Sequence, residues 1–100
     1  MFAILLTYQK SLSEVDAQLE AHRVFLKAQY AAGHFLLSGP KVPRTGGVIL
    51  AQAESADALQ AILVLDPFYH PGMAAYDVVQ FNALASYPDL FSQVVEYLAF

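Results

Sequence analysis

Residues 34–52 read HFLLSGPKVPRTGGVILAQ. Two short apolar runs, His34 to Ser38 and Gly47 to Gln52, flank the segment Pro40-Lys41-Val42-Pro43-Arg44-Thr45-Gly46, whose prolines and glycine mark a turn-rich loop. Runs this short, rich in branched and aromatic residues, read as strands. No helical pattern separates them, so they stand as a pair at the middle of the chain.

Outward on either side comes a helical segment. On the N-terminal side, Ser11 or Ser13 can cap a helix, with Glu14 or Asp16 three residues on completing a capping box. This helix is expected to run to about Ala32, with an inward stripe of Val15, Leu19, His22, Leu26 and Tyr30 and a left-handed cap at Gly33. On the C-terminal side, Ser55 can cap a shorter helix from Ala56 to Val64, turning Leu59, Ile62 and Leu63 inward. Outermost lie two more strands, Phe2 to Tyr8 and Ala75 to Leu84. A tail opened by Ser86-Tyr87-Pro88 has the spacing of a short amphipathic helix over about 88–98, carrying Leu90, Phe91, Val94 and Leu98.

The resulting order β-α-β-β-α-β is the split βαβ, ferredoxin-like arrangement, an α+β fold in one domain over residues 1–100. Right-handed crossovers place both helices on one face of a four-stranded antiparallel sheet and leave the other face bare. Composition bears on that face. The chain is 57% hydrophobic and only 14% charged, against about 25% charged in a typical domain. One hundred residues bury only roughly 60–70% of the unfolded surface. The surplus apolar area calls for a cover, and a second copy of the chain is the simplest.

The same numbers set aside several functions. The apolar run Phe2 to Leu6 is far short of the roughly 20 residues a bilayer demands, so no membrane partner is expected. A net charge of −4, with five basic residues in no stripe, gives no attraction to nucleic acid. Without cysteine there are no disulfides or thiolate ligands, and a cytoplasmic setting is the default. His22, His34 and His70 share no metal-ligand spacing, and no phosphate loop or dinucleotide fingerprint is present, so neither metal nor cofactor is expected.

His22 is the residue that composition leaves unexplained. It sits in an apolar stripe where leucine would pack at lower desolvation cost. It reads either as a core histidine satisfied by a backbone carbonyl or as a general acid or base suited to neutral pH. The topology collects Lys10, Ser38, Gly39, Pro40, Lys41, Arg44 and the Asp66 loop at one end of the sheet. Counted along a single helix, His22 lies about nine residues in, roughly 13–14 Å below that end. Asp66 is the carboxylate available to orient its ring, though an Asp before Pro67 is also a common turn starter. Ser38 lacks a nucleophile elbow and is not expected to attack. Lys41 or Arg44 in the loop could hold a substrate carboxylate.

These segments resemble the YciI-like family of the dimeric α+β barrel superfamily. The likeness is carried by the apolar opening strand ending in Tyr8, by Leu19-Glu20-Ala21-His22-Arg23-Val24-Phe25-Leu26, by Gly33 to Pro40 followed by Gly46-Gly47, and by Asp66-Pro67-Phe68. It spans residues 2 to about 82. The resemblance implies a homodimer with sheets face to face and an active site on a His–Asp pair, His22 and Asp66, with Ser38, Gly39 and Pro40 nearby. Relatives in the superfamily carry out isomerase, lyase and cofactor-free oxygenase chemistry on small organic acids and aromatics. His70-Pro71-Gly72 and the tail from Pro88 depart from the family pattern. The expectation is a small enzyme moving a proton through His22 and Asp66, of lyase, isomerase or hydrolase type. The alternative is a non-catalytic module that binds a small-molecule ligand or a partner, with the pair serving structure alone.

Overall fold

Strand β1 (Phe2–Tyr8) buries Phe2, Ile4 and Leu6 and leaves the residues between them less covered, and this alternation defines the two faces of the sheet. The computed structural model describes residues 1–70 and 72–84, in which β1 is followed by α1 (Leu12–Ala17), α2 (Leu19–Ala31), β2 (Phe35–Pro40), β3 (Gly46–Ala51), α3 (Ala56–Leu63) and β4 (Ala74–Gln80). All strand pairs are antiparallel, in the order β2-β3-β1-β4, which is the ferredoxin-like sheet. The last strand is shorter than the expected run to Leu84. The tail helix expected over about 88–98, and Pro71, lie outside the described residues.

The caps act where the sequence places them. Ser11 Oγ accepts from the Glu14 amide while the Glu14 carboxylate accepts from the Ser11 amide, a reciprocal capping box that starts α1. Helix α2 ends in a Schellman motif. Gly33 adopts φ 79°, its amide donates to the Tyr30 carbonyl, and the His34 amide donates to that of Gln29. Ser55 Oγ accepts from the Ala58 amide at 3.0 Å to open α3. That helix has only eight residues, too few to persist alone, and is held by the full burial of Leu59 and Leu63, each contributing about 1.5–3 kcal/mol.

One expectation needs correction. The first helix is not continuous: it breaks at Gln18, whose φ of −107° and ψ of 0° lie in the bridge region between α1 and α2. No proline or glycine marks this break. Its effect is positional. His22 is the fourth residue of α2, roughly 4–5 Å from that helix's start rather than deep along a single axis. The inward face also differs, because Phe25 is buried whereas Tyr30 is exposed.

Val15, Phe25, Leu59, Leu63 and Phe68 pack on Phe2, Ile4, Leu6, Phe35 and Ile49, so helices and core share one face. Gly46 is obligatory on β3, since a Cβ there would lie 1.7 Å from the Leu6 carbonyl oxygen. The opposite face carries Leu5, Leu37, Val48 and Val79, aligned across the sheet by its register. Among the described residues nothing packs over it, and Leu37, Val48 and Val79 are exposed.

Candidate active site

A cavity of about 380 Å³ opens between the helical face of the sheet and the first turns of α2. Its floor is Leu6, Gly47 and Ile49, residues of β1 and β3 that share that face. Leu19 and Leu26 wall it from α2, and His22 stands between them. The volume falls within the range of ordinary ligand sites, about 300–1,000 Å³.

His22 is tied from behind. Its Nδ1 lies 2.8 Å from Asp66 Oδ1, with both side chains buried. The Asp66 carboxylate collects two further donors, the Phe68 amide at 3.0 Å on Oδ1 and the Tyr76 hydroxyl at 2.6 Å on Oδ2. An ionised carboxylate only accepts, and against it Nδ1 is the donor of the pair. In the neutral imidazole this leaves a lone pair on Nε2, which has no hydrogen-bond partner among the described residues. The segment that supplies Asp66 also supplies the ring that holds the imidazole flat, because Phe68 stacks on His22. Tyr76 holds its proton well above the ordinary tyrosine range, first through burial and then through the Asp66 contact, and therefore remains a donor.

The other expected residues divide. Ser38, Gly39, Pro40 and Arg44 line the cavity. Ser38 Oγ lies 2.5 Å from the Tyr30 hydroxyl, which fixes it as a polar wall group. Lys41 is directed elsewhere: its Nζ donates to Thr7 Oγ1, a residue in alternation with the helical-face residues Leu6 and Tyr8. Arg44 contacts Asp16 of α1 and lies over the Tyr8 ring with its guanidinium carbon 5.7 Å from the centroid. That contact holds Asp16 below its ordinary carboxylate range and Arg44 above its own. His34 bonds Gln29 and His70 packs on Tyr69, so neither joins His22. Among the described residues no three His, Asp or Glu side chains converge as a metal site requires.

Sequence reasoning missed Arg23, Tyr8, Phe68 and Tyr76. Arg23 and Tyr8 line the cavity, Phe68 stacks on the imidazole, and Tyr76 completes the carboxylate's shell. Arg23 and Phe68 were readable in principle, one adjoining His22 and the other two residues beyond Asp66. The role of Tyr76 depends on the pairing of β4 with β1, which sets it opposite Leu6.

The YCII-related domain matches residues 1–82. No curated protein sequence matches the chain. Among solved structures, the fold is similar to that of 5-chloro-2-hydroxyhydroquinone dehydrochlorinase (TftG) from Burkholderia phenoliruptrix AC1100, in complex with 2,5-dihydroxybenzoquinone. The TM-score is 0.67 at 22% identity, over 83% of this chain and 95% of that one. No helix of the described residues is long and apolar enough to cross a membrane.

Proposed function

The chain belongs to the YCII-related family, and from that premise we propose that it is an enzyme transferring a proton on a small organic substrate, with His22 Nε2 as acid and base. Asp66 orients the ring, fixes its tautomer and stabilises the imidazolium formed when Nε2 takes a proton. The observation that carries this reading is the His22–Asp66 bond, which occupies Nδ1 and leaves Nε2 unpartnered among the described residues on a buried ring that lines the cavity. The similar fold of 5-chloro-2-hydroxyhydroquinone dehydrochlorinase, an enzyme named for the loss of hydrogen and chlorine from its substrate, supports chemistry of lyase type. The step would be an elimination, in which Nε2 takes a proton from a carbon next to a carbonyl or from a phenol hydroxyl while the leaving group departs as its anion, or an isomerisation, in which Nε2 returns that proton at another carbon.

The same reading pairs two copies through the bare sheet face, where Leu5, Leu37, Val48 and Val79 offer apolar contacts around Asp77. It sets the protein in the cytoplasm, where a cysteine-free chain forgoes no disulfide.

A second reading has its own support: three donors on Asp66 and the Phe68 stack would equally suit a non-catalytic ligand-binding module. Turnover of His22→Gln separates the two. Screened against hydroquinones and keto acids bearing a leaving group, wild type should act on at least one. The variant should lose about 10²–10⁴-fold of that rate while its circular dichroism is unchanged. Equal turnover by both proteins would overturn the enzymatic role of His22.

A further inference from the structure

Arg23 and Arg44 both line the cavity, and among the described residues no Asp or Glu does. Two of only five basic residues in a chain of net charge −4 thus line one cavity, and both act on Asp16 through their charge, while the remaining lining is largely apolar. Arg23 makes no salt bridge among the described residues. Arg44 already holds a carboxylate oxygen, that of Asp16, at an exposed position. Exposed ion pairs are weak and readily exchanged, so Asp16 shows what the guanidinium accepts without holding it permanently.

We propose that the cavity takes a small flat organic carboxylate, whose charged end replaces Asp16 on Arg44 and is shared with Arg23 while its apolar body lies on Leu19, Leu26 and Ile49. This rests on the reading that the cavity is the substrate site and adds the class of molecule it admits. A guanidinium presents paired N–H donors that match both carboxylate oxygens. With the charge anchored at the arginines, the body of the ligand extends toward His22, which lines the same cavity. Asp16 is then an internal competitor, present before the ligand and released by it.

Benzoate and benzamide, equal in shape and different in charge, are the probes, titrated by NMR into wild type and into Arg44→Met, Arg23→Met, Asp16→Asn and His22→Gln. Benzoate should bind at least tenfold tighter than benzamide, and each arginine variant should remove most of that difference. Asp16→Asn should tighten benzoate severalfold and leave benzamide unchanged, because the competitor is gone while both arginines remain. Benzoate binding should survive in His22→Gln, which separates this inference from the proton-transfer reading tested by turnover. Equal binding of the two probes, no binding of benzoate, or an Asp16→Asn variant that binds benzoate no better would each overturn it.

Discussion

The imidazole of His22 and the ring of Phe68 lie nearly parallel, 6° apart in plane with centroids 4.0 Å apart, so the face of the histidine is set by an aromatic residue two places after its own carboxylate partner. The Asp66-Pro67-Phe68 segment therefore fixes both the edge and the face of one ring. Phe68→Leu should keep most of the packing yet remove the ring current, moving the His22 proton resonances downfield. Phe68→Ala should also cost about 3–5 kcal/mol in chemical denaturation, as deletion of a buried phenyl does. Unmoved His22 resonances in Phe68→Leu would contradict the stack.

Removing either partner of the buried pair should destabilise, and unequally. Asp66→Ala strands three donors, whereas His22→Ala leaves the carboxylate two of its three. At about 1–3 kcal/mol per unsatisfied buried group, Asp66→Ala should be the more damaging. The double variant should cost less than the sum of the two by roughly 0.5–3 kcal/mol, measured in a urea double-mutant cycle.

Tyr76 gives the fold a dependence on alkaline pH. Its native pKa is raised by burial and by Asp66, whereas an unfolded tyrosine ionises near the ordinary value of 10.0. Its contribution is thus complete below pH 10 and declines above it, because the unfolded chain alone can release the proton. The slope is at most about 1.4 kcal/mol per pH unit and is lessened by the ring's partial exposure. Between pH 10 and 11.5, Tyr76→Phe should lose stability less steeply than wild type in urea melts.

Two glycines on neighbouring strands should respond oppositely to a methyl group. A Cβ at Gly46 would lie 1.7 Å from the Leu6 carbonyl oxygen, whereas one at Gly39 meets nothing within 4 Å. Gly46→Ala should lower the melting temperature by many degrees or prevent folding, and Gly39→Ala should change it little. Thermal denaturation followed by circular dichroism distinguishes them.

The bare sheet face predicts the assembly. Val48→Lys puts a positive charge beside Leu5 and Leu37 at an exposed position of β3. Sedimentation velocity should show a dimer for wild type and a monomer for the variant, both with the same secondary structure.

Much of this architecture was legible in local patterns. The capping box at Ser11, the Gly33 cap and the strand alternation of β1 are short-range features, decided by residues within a few positions of one another. The break at Gln18 was not legible. No breaker residue marks it, and its bend is defined by backbone angles within an otherwise helix-compatible run. The candidate site divides in the same way. His22 stood out because an ionisable group interrupted an apolar stripe, and Asp66 because topology put its loop nearby. Lys41 and Arg44 are three positions apart in one loop and looked equivalent. Only the path of that loop sends Arg44 to the cavity and Lys41 to Thr7. Tyr76 and Arg23 acquire their surroundings from tertiary packing, which periodicity does not encode.

Strand β1 pairs on one side with β3 and on the other with β4, so that Phe2 lies opposite both Ala51 and Gln80. The earliest of the described strands is thus a central one, and its neighbour on one side is the last strand described. Until β4 emerges, one edge of β1 is unpaired and Asp66 lacks the Tyr76 hydroxyl that completes its shell. Such distant pairing slows folding relative to a helical chain of equal length. It also leaves the apolar residues of β1 open to wrong partners during synthesis, a period in which chaperone binding would protect the chain most.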